Sequence, residues 1–561
     1  MWRVRPDSTN GVRRHRQAER GQAPLTRCGR GLAIAWAVIP TVSLAQSSKE
    51  RQATPSSPVV DSVRIVRENV FDRSESTNWL FTAANKVHVV TREYVVTREL
   101  LVKPGEPYDS ATVAETERNL RKLGIFRDVE IDTVRTESAL GLNVTTYDSW
   151  TTQLYTSFKA GGDQITWAIG VTEKNLLGTQ NKASIRYTDD PDRSTTQFGV
   201  KLPRLWKQLG ITASYDELSD GKRAMFNASA PFISNASKKS VGLELNYNDG
   251  DVLRFFEGEP DASDTVRHLL TQGRASVGWA ARASSLGFVR LGTRLQVRRE
   301  DFTEPASSPT TPDERSFFSE LEFSVEASQT QFSVVHGYRN LGGREDVDLS
   351  RTVRLAVWLA PSAWGYERTG VGPAISLFAG KPFDKGLFRG FATAEVRASG
   401  LFTSEGLDSG TVVTAAVLAL QPATRHSVVF NADVGWRKDP RPGDEFDLGL
   451  SFGPRGFPLH AFTGDRGFFT TAEYRWMATP DLWGLAAIGL AAFADYGGAW
   501  YHGSARRSGT DVGVGIRIGS TRSSSGKAAT RVDFARRFAN DVLSDEWVIA
   551  VGAGWPWERS K

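Results

Sequence analysis

The chain holds one cysteine, Cys28, three methionines and seven histidines in 561 residues. With so little thiol it needs no oxidative folding and offers neither a cysteine ligand set nor a downstream thiolate nucleophile. Beyond the N-terminal region the histidines are His88, His268, His336, His426, His460 and His502, which are scattered without metal-ligand spacing. No phosphate-binding glycine loop occurs. Long apolar runs are also missing: the longest after the N-terminus, Leu482 to Ala494, is 13 residues and stops at Asp495. As a helix it would reach about 20 Å, short of the ~20 residues a bilayer demands, which excludes a helical membrane protein.

The N-terminus explains a misleading bulk charge. Residues 1–30 are rich in arginine, and the apolar run Leu32 to Pro40 is followed by Ser43-Leu44-Ala45. This is the pattern of a secretory signal peptide over residues 1–45, with cleavage after Ala45. That segment carries eight Arg and two acids, Asp7 and Glu19, out of 69 basic and 64 acidic side chains, so the mature net charge is −1. Cys28 leaves with it. The sequence pI of 9.1 therefore belongs to the targeting segment, and a nucleic-acid partner has no support. Residues 46–60 are polar, with Ser and Pro throughout, and read as a linker.

What the chain has in quantity is alternation. In Val241-Gly-Leu-Glu-Leu-Asn-Tyr-Asn248 every second residue is apolar. The same period runs through Val289 to Arg298, Ser319 to Glu326 and Val512 to Gly519. Helices return apolar residues at i+3 and i+4; these segments do not, so they are strands with two unlike faces. The polar face carries Arg, Glu and Gln beside many of the 52 glycines. Such segments fit an outer-membrane β-barrel, with apolar side chains toward lipid and polar ones toward a wet lumen. Closure is required, since an open sheet edge in lipid leaves N–H and C=O groups without partners. Trp206, Trp358, Trp476, Trp483 and Trp500 fit an interfacial girdle, and the polar stretches Gly258 to Asp264 and Glu304 to Glu314 fit loops. The barrel is assigned residues 150–561.

Residues 61–147 change period. A strand begins at Val63, Thr91 can cap a helix through Leu101, and Asp109 or Ser110 caps a second, Ala111 to Leu123, whose Val113, Thr116, Leu120 and Leu123 share a face. Gly124 stops it, and strands Phe126 to Asp132 and Leu140 to Thr146 follow, giving a small α/β domain of order β-α-α-β-β. Leu101-Val-Lys-Pro-Gly-Glu-Pro-Tyr-Asp109 with Arg118-Asn-Leu-Arg-Lys-Leu-Gly-Ile-Phe-Arg-Asp-Val129 strongly resembles a polypeptide-transport-associated (POTRA) domain. The resemblance implies an exposed sheet edge that takes up a client strand by β-augmentation.

Further motifs resemble the BamA/TamA superfamily. Early in the barrel stands Gly170-Val-Thr-Glu-Lys-Asn175-Leu-Leu-Gly178, a hairpin in which Asn175 and Gly178 can take the positive φ of a tight turn. Later come Gly453-Pro-Arg455-Gly456-Phe457, then Glu473-Tyr-Arg475, then Phe493-Ala-Asp495-Tyr-Gly497. By resemblance, a long loop folds into the lumen and Arg455 at its tip pairs with Asp495 on the wall, Gly456 lets the backbone turn, and Phe457 packs the tip. Pro454 departs from the family's usual valine. The chain ends in an alternating stretch from Glu546 with Trp555 or Trp557 as the aromatic of a terminal assembly signal, followed by a short tail. Gly449-Leu-Ser451-Phe-Gly453 has nucleophile-elbow spacing but no strand-turn-helix context, so no catalysis is expected.

The fold expected is thus mostly β, a transmembrane antiparallel barrel, which the resemblance sets at sixteen strands, behind one POTRA domain. The implied function is insertion of client proteins into the bacterial outer membrane, or transport across it, with the POTRA domain in the periplasm. Partners would be unfolded client polypeptides, outer-membrane lipids and other assembly subunits, with no cofactor, metal or enzymatic step. A two-partner-type secretion pore for one substrate and a passive structural barrel are the alternatives.

Overall fold

In the computed structural model the described residues are 58–553 except 72–78, 136–138, 162–163, 257–261, 263, 304–316, 340, 342–343, 387, 451, 523–528 and 539–542. The expected signal peptide, residues 46–57 of the linker, Trp555 and Trp557 lie outside them, as does Ser451. Among the described residues the alternating segments form a closed wall of 20 strands, from Thr152–Gly161 to Glu546–Ala553, with the last strand returning to the first. The count corrects the expected sixteen. Many strands are only eight to thirteen residues long and several turns take two residues, so twenty strands fit the length available.

The two faces of the wall follow the sequence period. In Lys239–Arg254, Val241, Leu243 and Leu245 are exposed. On its other face Glu244 accepts from Arg274 Nη1 at 2.8 Å, and Arg274 Nε reaches Gln296 at 2.6 Å across the next strands. The outward apolar row continues around the barrel, far beyond the scattered apolar exposure of a soluble monomer, and this is the surface of an outer-membrane barrel. Trp206, Trp476 and Trp483 are exposed, as a girdle requires. Trp358 is not part of it: in Arg351–Ala360 the odd positions Val353, Leu355 and Val357 face outward, so Trp358 points inward, where it lies over Gly372 and beside Tyr366. The strand Asp264–Ser284 has 21 residues, about 70 Å at ~3.3 Å each, against an apolar band of about 25 Å, so this part of the wall extends past the membrane.

In front of the barrel lies a three-stranded sheet of β1 (Val60–Glu68), β2 (Phe126–Arg135) and β3 (Leu140–Asp148) in the order β1-β3-β2. β1 runs parallel to β3 and β2 antiparallel. Three helices accompany it, α1 (Trp79–Val87), α2 (Glu93–Thr97) and α3 (Ser110–Lys122), of which α2 and α3 pack on the sheet. Helix α3 matches its periodicity, with Val113, Thr116 and Leu120 buried, and Asp109 is its cap, accepting from the backbone N of Ala111 and Thr112. Leu120, Val95, Val96, Ile125, Phe126, Val129 and Val144 form the core. Helix α1 adds an element not read from the sequence, and α2 is shorter than Thr91 to Leu101. Thr91 is not its cap: Arg92 holds the N-cap position, and Thr91 is fully buried with its hydroxyl donating to Asp148 at 3.0 Å.

Candidate functional site

The segment between strands His426–Lys438 and Arg466–Leu482 is a folded plug. Its short strands Phe446–Leu448 and Phe462–Gly464 pair, and Phe446, Leu448, Phe457, Ala461 and Phe462 cluster with Ala499 of the wall. At its tip Arg455, 2% exposed, faces lumenal side chains from three wall strands. Arg455 Nε and Nη2 donate to the two oxygens of Asp495 at 2.7 and 2.9 Å, the fork-to-carboxylate geometry a guanidinium is shaped for. Its backbone N reaches the same carboxylate at 3.2 Å, and Nη1 donates to Glu473 at 2.8 Å. The guanidinium plane also lies 3.4 Å above the Phe493 ring.

Glu473 is shared. Arg475 Nε donates to it at 2.6 Å, and Arg517 Nε and Nη2 each at 3.0 Å. Arg517 continues to Asp533 at 2.6 Å, and Arg531 also pairs with Asp533. Four arginines and three carboxylates thus form one buried network, in which every carboxylate is held by at least one guanidinium. The sequence motifs brought Arg455, Glu473, Arg475 and Asp495 forward but missed Arg517, Arg531, Asp533 and Asp511. Their trace is in the alternation: Arg517 interrupts a lumenal row that is otherwise glycine in Val512 to Gly519.

Glycines make room for the tip. Gly456 N donates to Asp511 at 2.9 Å, and a Cβ there would lie 2.8 Å from Asp511 Cβ. Phe457 is fully buried over Gly509, whose Cβ would fall 2.1 Å from the ring. Pro454, the departure from the family pattern, sits against Gly497, where a Cβ would meet its ring at 2.9 Å.

Asn175 and Gly178 are elsewhere, at the opposite end of the barrel. Gly178 takes φ +72 as expected, but the other left-handed positions are Leu177 and Gln180, not Asn175. Asn175 instead uses its side chain: Oδ1 accepts from Gln180 N at 2.7 Å, and Nδ2 donates to Thr91 Oγ1 at 2.8 Å. Arg92 N donates to Gly178 O at 2.9 Å. The motif is a docking turn for the small domain.

At the far end of the barrel His460 clasps the plug to the turn at Asp190–Arg193. Its ring nitrogens lie 2.7 Å from Asp447 and 2.9 Å from Asp192, and Phe255 stacks on it at 3.5 Å. Burial disfavours the charged ring, but the bonds to Asp192 and Asp447 outweigh it and push the pKa up from 6.5 to about 9. The clasp therefore contributes fully below about pH 6.5 and is lost as pH rises through 9. His460→Asn, chosen because φ is +59 there, is expected to remove this dependence. Protease nicking of the plug between pH 6 and 10 checks it; superimposable wild-type and variant profiles would rule the clasp out.

Among the described residues the closure of the barrel is its shortest ladder. Among the described residues the first and last strands share three residue pairs, Phe158 with Val551, Lys159 with Ala550, and Ala160 with Ile549. Every other pairing in the wall has eight or more. Among the described residues the ladder stops at Val551, although Gly552 and Ala553 still lie in the last strand. The plug leans on this seam: Leu450 and Leu459 pack on Val548 and Ala550, and Lys159 Nζ donates to Leu450 O at 3.1 Å.

Residues 87–147 match the family described as surface antigen variable number repeat, POTRA. These residues form a POTRA domain. Joined to a closed antiparallel barrel, it supports the likeness to the BamA/TamA superfamily. No curated protein matches the sequence. Among solved structures, BamA from Haemophilus ducreyi lacking POTRA domains 1–3 is similar at 11% identity and TM-score 0.38, over 89% of this chain and 84% of that one. CdiB from Escherichia coli is similar at 13% and 0.45, over 88% and 76%. CdiB from Acinetobacter baumannii is similar at 11% and 0.42, over 88% and 73%.

The POTRA domain is seated on several turns of the barrel's near rim. Besides the Gly178 turn, Arg204 pairs with Glu99 at 2.8 Å, Asn235 N donates to Glu115 at 2.7 Å, and Ser285 donates to Asp109 at 3.0 Å.

Proposed function

We propose that this protein receives unfolded polypeptides at a periplasmic POTRA domain and inserts them into, or passes them across, the outer membrane through a barrel that opens laterally. The seam carries this reading. Among the described residues three pairs hold the first and last strands together, fewer than join any other two neighbouring strands of the wall, so opening there sacrifices fewer of the described main-chain bonds. The exposed edges would then template client strands, and the drive would come from the client's own folding and burial in lipid, where every backbone group must be paired. No nucleotide, metal or catalytic group is required, and the protein is proposed not to be an enzyme. The even strand number leaves both barrel ends on the POTRA side, in keeping with a periplasmic location for that domain. Clients, outer-membrane lipids and further assembly subunits are the partners this predicts.

Depletion followed by comparison of the outer-membrane proteome tests the reading. Loss of many barrel proteins is the expected result. Loss of one secreted protein would identify a dedicated secretion pore, and an unchanged proteome would leave only a passive barrel.

A further inference from the structure

The turns on the POTRA side of the barrel run from two to nine residues, with one exception: 21 residues separate the wall strands Phe317–Gln329 and Arg351–Ala360. Within them, Phe332–His336 and Arg344–Asp348 pair as a separate two-stranded hairpin that does not join the wall. It meets the wall both beside its base, at Leu349, and in its turn, at Tyr338 and Leu341. Leu349, fully buried, packs with Phe391, Ala419 and Val429 of the wall, joined by Val335, Tyr338 and Val347. Arg475, a member of the Arg455 network, donates to Tyr338 O at 3.0 Å, and Gln421 donates to His336 O at 2.7 Å.

The hairpin's other side is bonded to the POTRA domain. Asp346 receives a bidentate pair from Arg121 of α3 at 2.7 and 2.8 Å, with both side chains largely buried. Phe332 lies under Arg118 and Lys122 of the same helix. Arg344 pairs with Asp128 and donates to the backbone oxygen of Val129 at 3.2 Å. Asp128 and Val129 belong to β2, the outer strand of the sheet order β1-β3-β2. A main-chain acceptor of the sheet's edge strand is therefore already taken by this hairpin. On the opposite edge the first residue of β1, Val60, bonds through its N and O to Glu106 O and Gly105 N.

From this geometry we infer that the hairpin is an internal competitor for the client: it holds the β2 edge and the near mouth of the lumen shut until an extended polypeptide displaces it. The inference rests on the client-handling reading and deepens it. Displacement is feasible because an isolated two-stranded hairpin has little stability of its own, so five residue pairs depend on the contacts around them. Those contacts with the POTRA domain are two ion pairs, the Phe332 ring under Arg118 and Lys122, and one side-chain bond to a backbone oxygen, and an incoming strand offers main-chain bonds in exchange. The apolar base around Leu349 stays as the hinge.

The nearly cysteine-free chain makes the test direct. In a Cys28→Ala background, Asp128→Cys/Arg344→Cys removes the ion pair, and a short bismaleimide then ties the hairpin back to β2. The probe is a fluorescent synthetic peptide with the sequence of Glu546–Ala553, titrated against the full-length protein in detergent. We expect Arg344→Ala/Asp346→Ala to bind it at least tenfold more tightly than wild type, and bridging of the cysteine pair to weaken binding at least tenfold. Equal affinities in all forms overturn the competitor and leave client handling intact. If no form binds peptide, hydrogen exchange of the Phe126–Ile131 amides decides: faster exchange in Arg344→Ala/Asp346→Ala supports the clamp and counts against client handling, and unchanged exchange rejects both.

Discussion

Arg455→Ala is expected to cost the folded barrel about 3–5 kcal/mol, the usual penalty for deleting one partner of a buried, hydrogen-bonded ion pair. All three guanidinium nitrogens are engaged, to Asp495, Glu473 and Thr471. Deletion leaves Asp495 buried without its guanidinium, with Thr471 Oγ1 and the backbone N of residue 455 among its remaining donors. Arg455→Lys keeps the charge and loses the fork, so it should fall between wild type and Ala. Glu473→Gln should cost a similar amount to Arg455→Ala for a different reason: three arginines, Arg455, Arg475 and Arg517, converge on Glu473 and would then repel one another. Guanidinium unfolding in detergent, followed by tryptophan fluorescence, gives the stability, and limited proteolysis reports whether residues 439–465 have come loose. A wild-type midpoint and an intact plug in Arg455→Ala would remove the anchoring role from this network.

Locking the seam is expected to have the largest effect on activity. Ala160 and Ile549 stand directly opposite one another on the outward face of the antiparallel closure. Such partners have Cα atoms about 4.5–5.5 Å apart, inside the ~4.4–6.8 Å range a disulfide accepts. Ala160→Cys/Ile549→Cys, in the Cys28→Ala background, should support client insertion into proteoliposomes when reduced and lose at least tenfold of it when oxidised. A control pair across Val512 and Arg536, facing strands away from the seam, should leave insertion unchanged in both states. Full activity of the oxidised seam variant would mean that clients do not pass between the first and last strands.

How much of this was legible in the sequence depends on whether the information is local. Helix α3 was, because its cap, its apolar face and its Gly124 stop lie within sixteen residues. The wall strands were, because period two is a property of each strand alone. Thr91 was misread because a threonine before an apolar stretch has the same local pattern whether it caps a helix or is buried against Asp148, 57 residues away. The hairpin Phe332–Asp348 was invisible for a related reason: Phe-Ser-Val-Val-His and Arg-Glu-Asp-Val-Asp carry no pattern that tells them from loop or wall, and only the pairing sets them apart from the barrel. Trp358 was assigned to the girdle by residue type, whereas the parity of its own strand puts it in the lumen.

The sequence by itself determined a POTRA domain, an alternating wall and the Arg455–Asp495 pair, since each is written in contiguous periodicity or in ordered motifs. The tertiary structure decided the number of strands, the arginine and carboxylate partners around Glu473, the docking role of Asn175 and the hairpin beneath the lumen. These depend on which residues closure brings opposite one another across tens or hundreds of positions. No local pattern encodes that distance, because the ladder hydrogen bonds that set it are made by backbone atoms common to every residue.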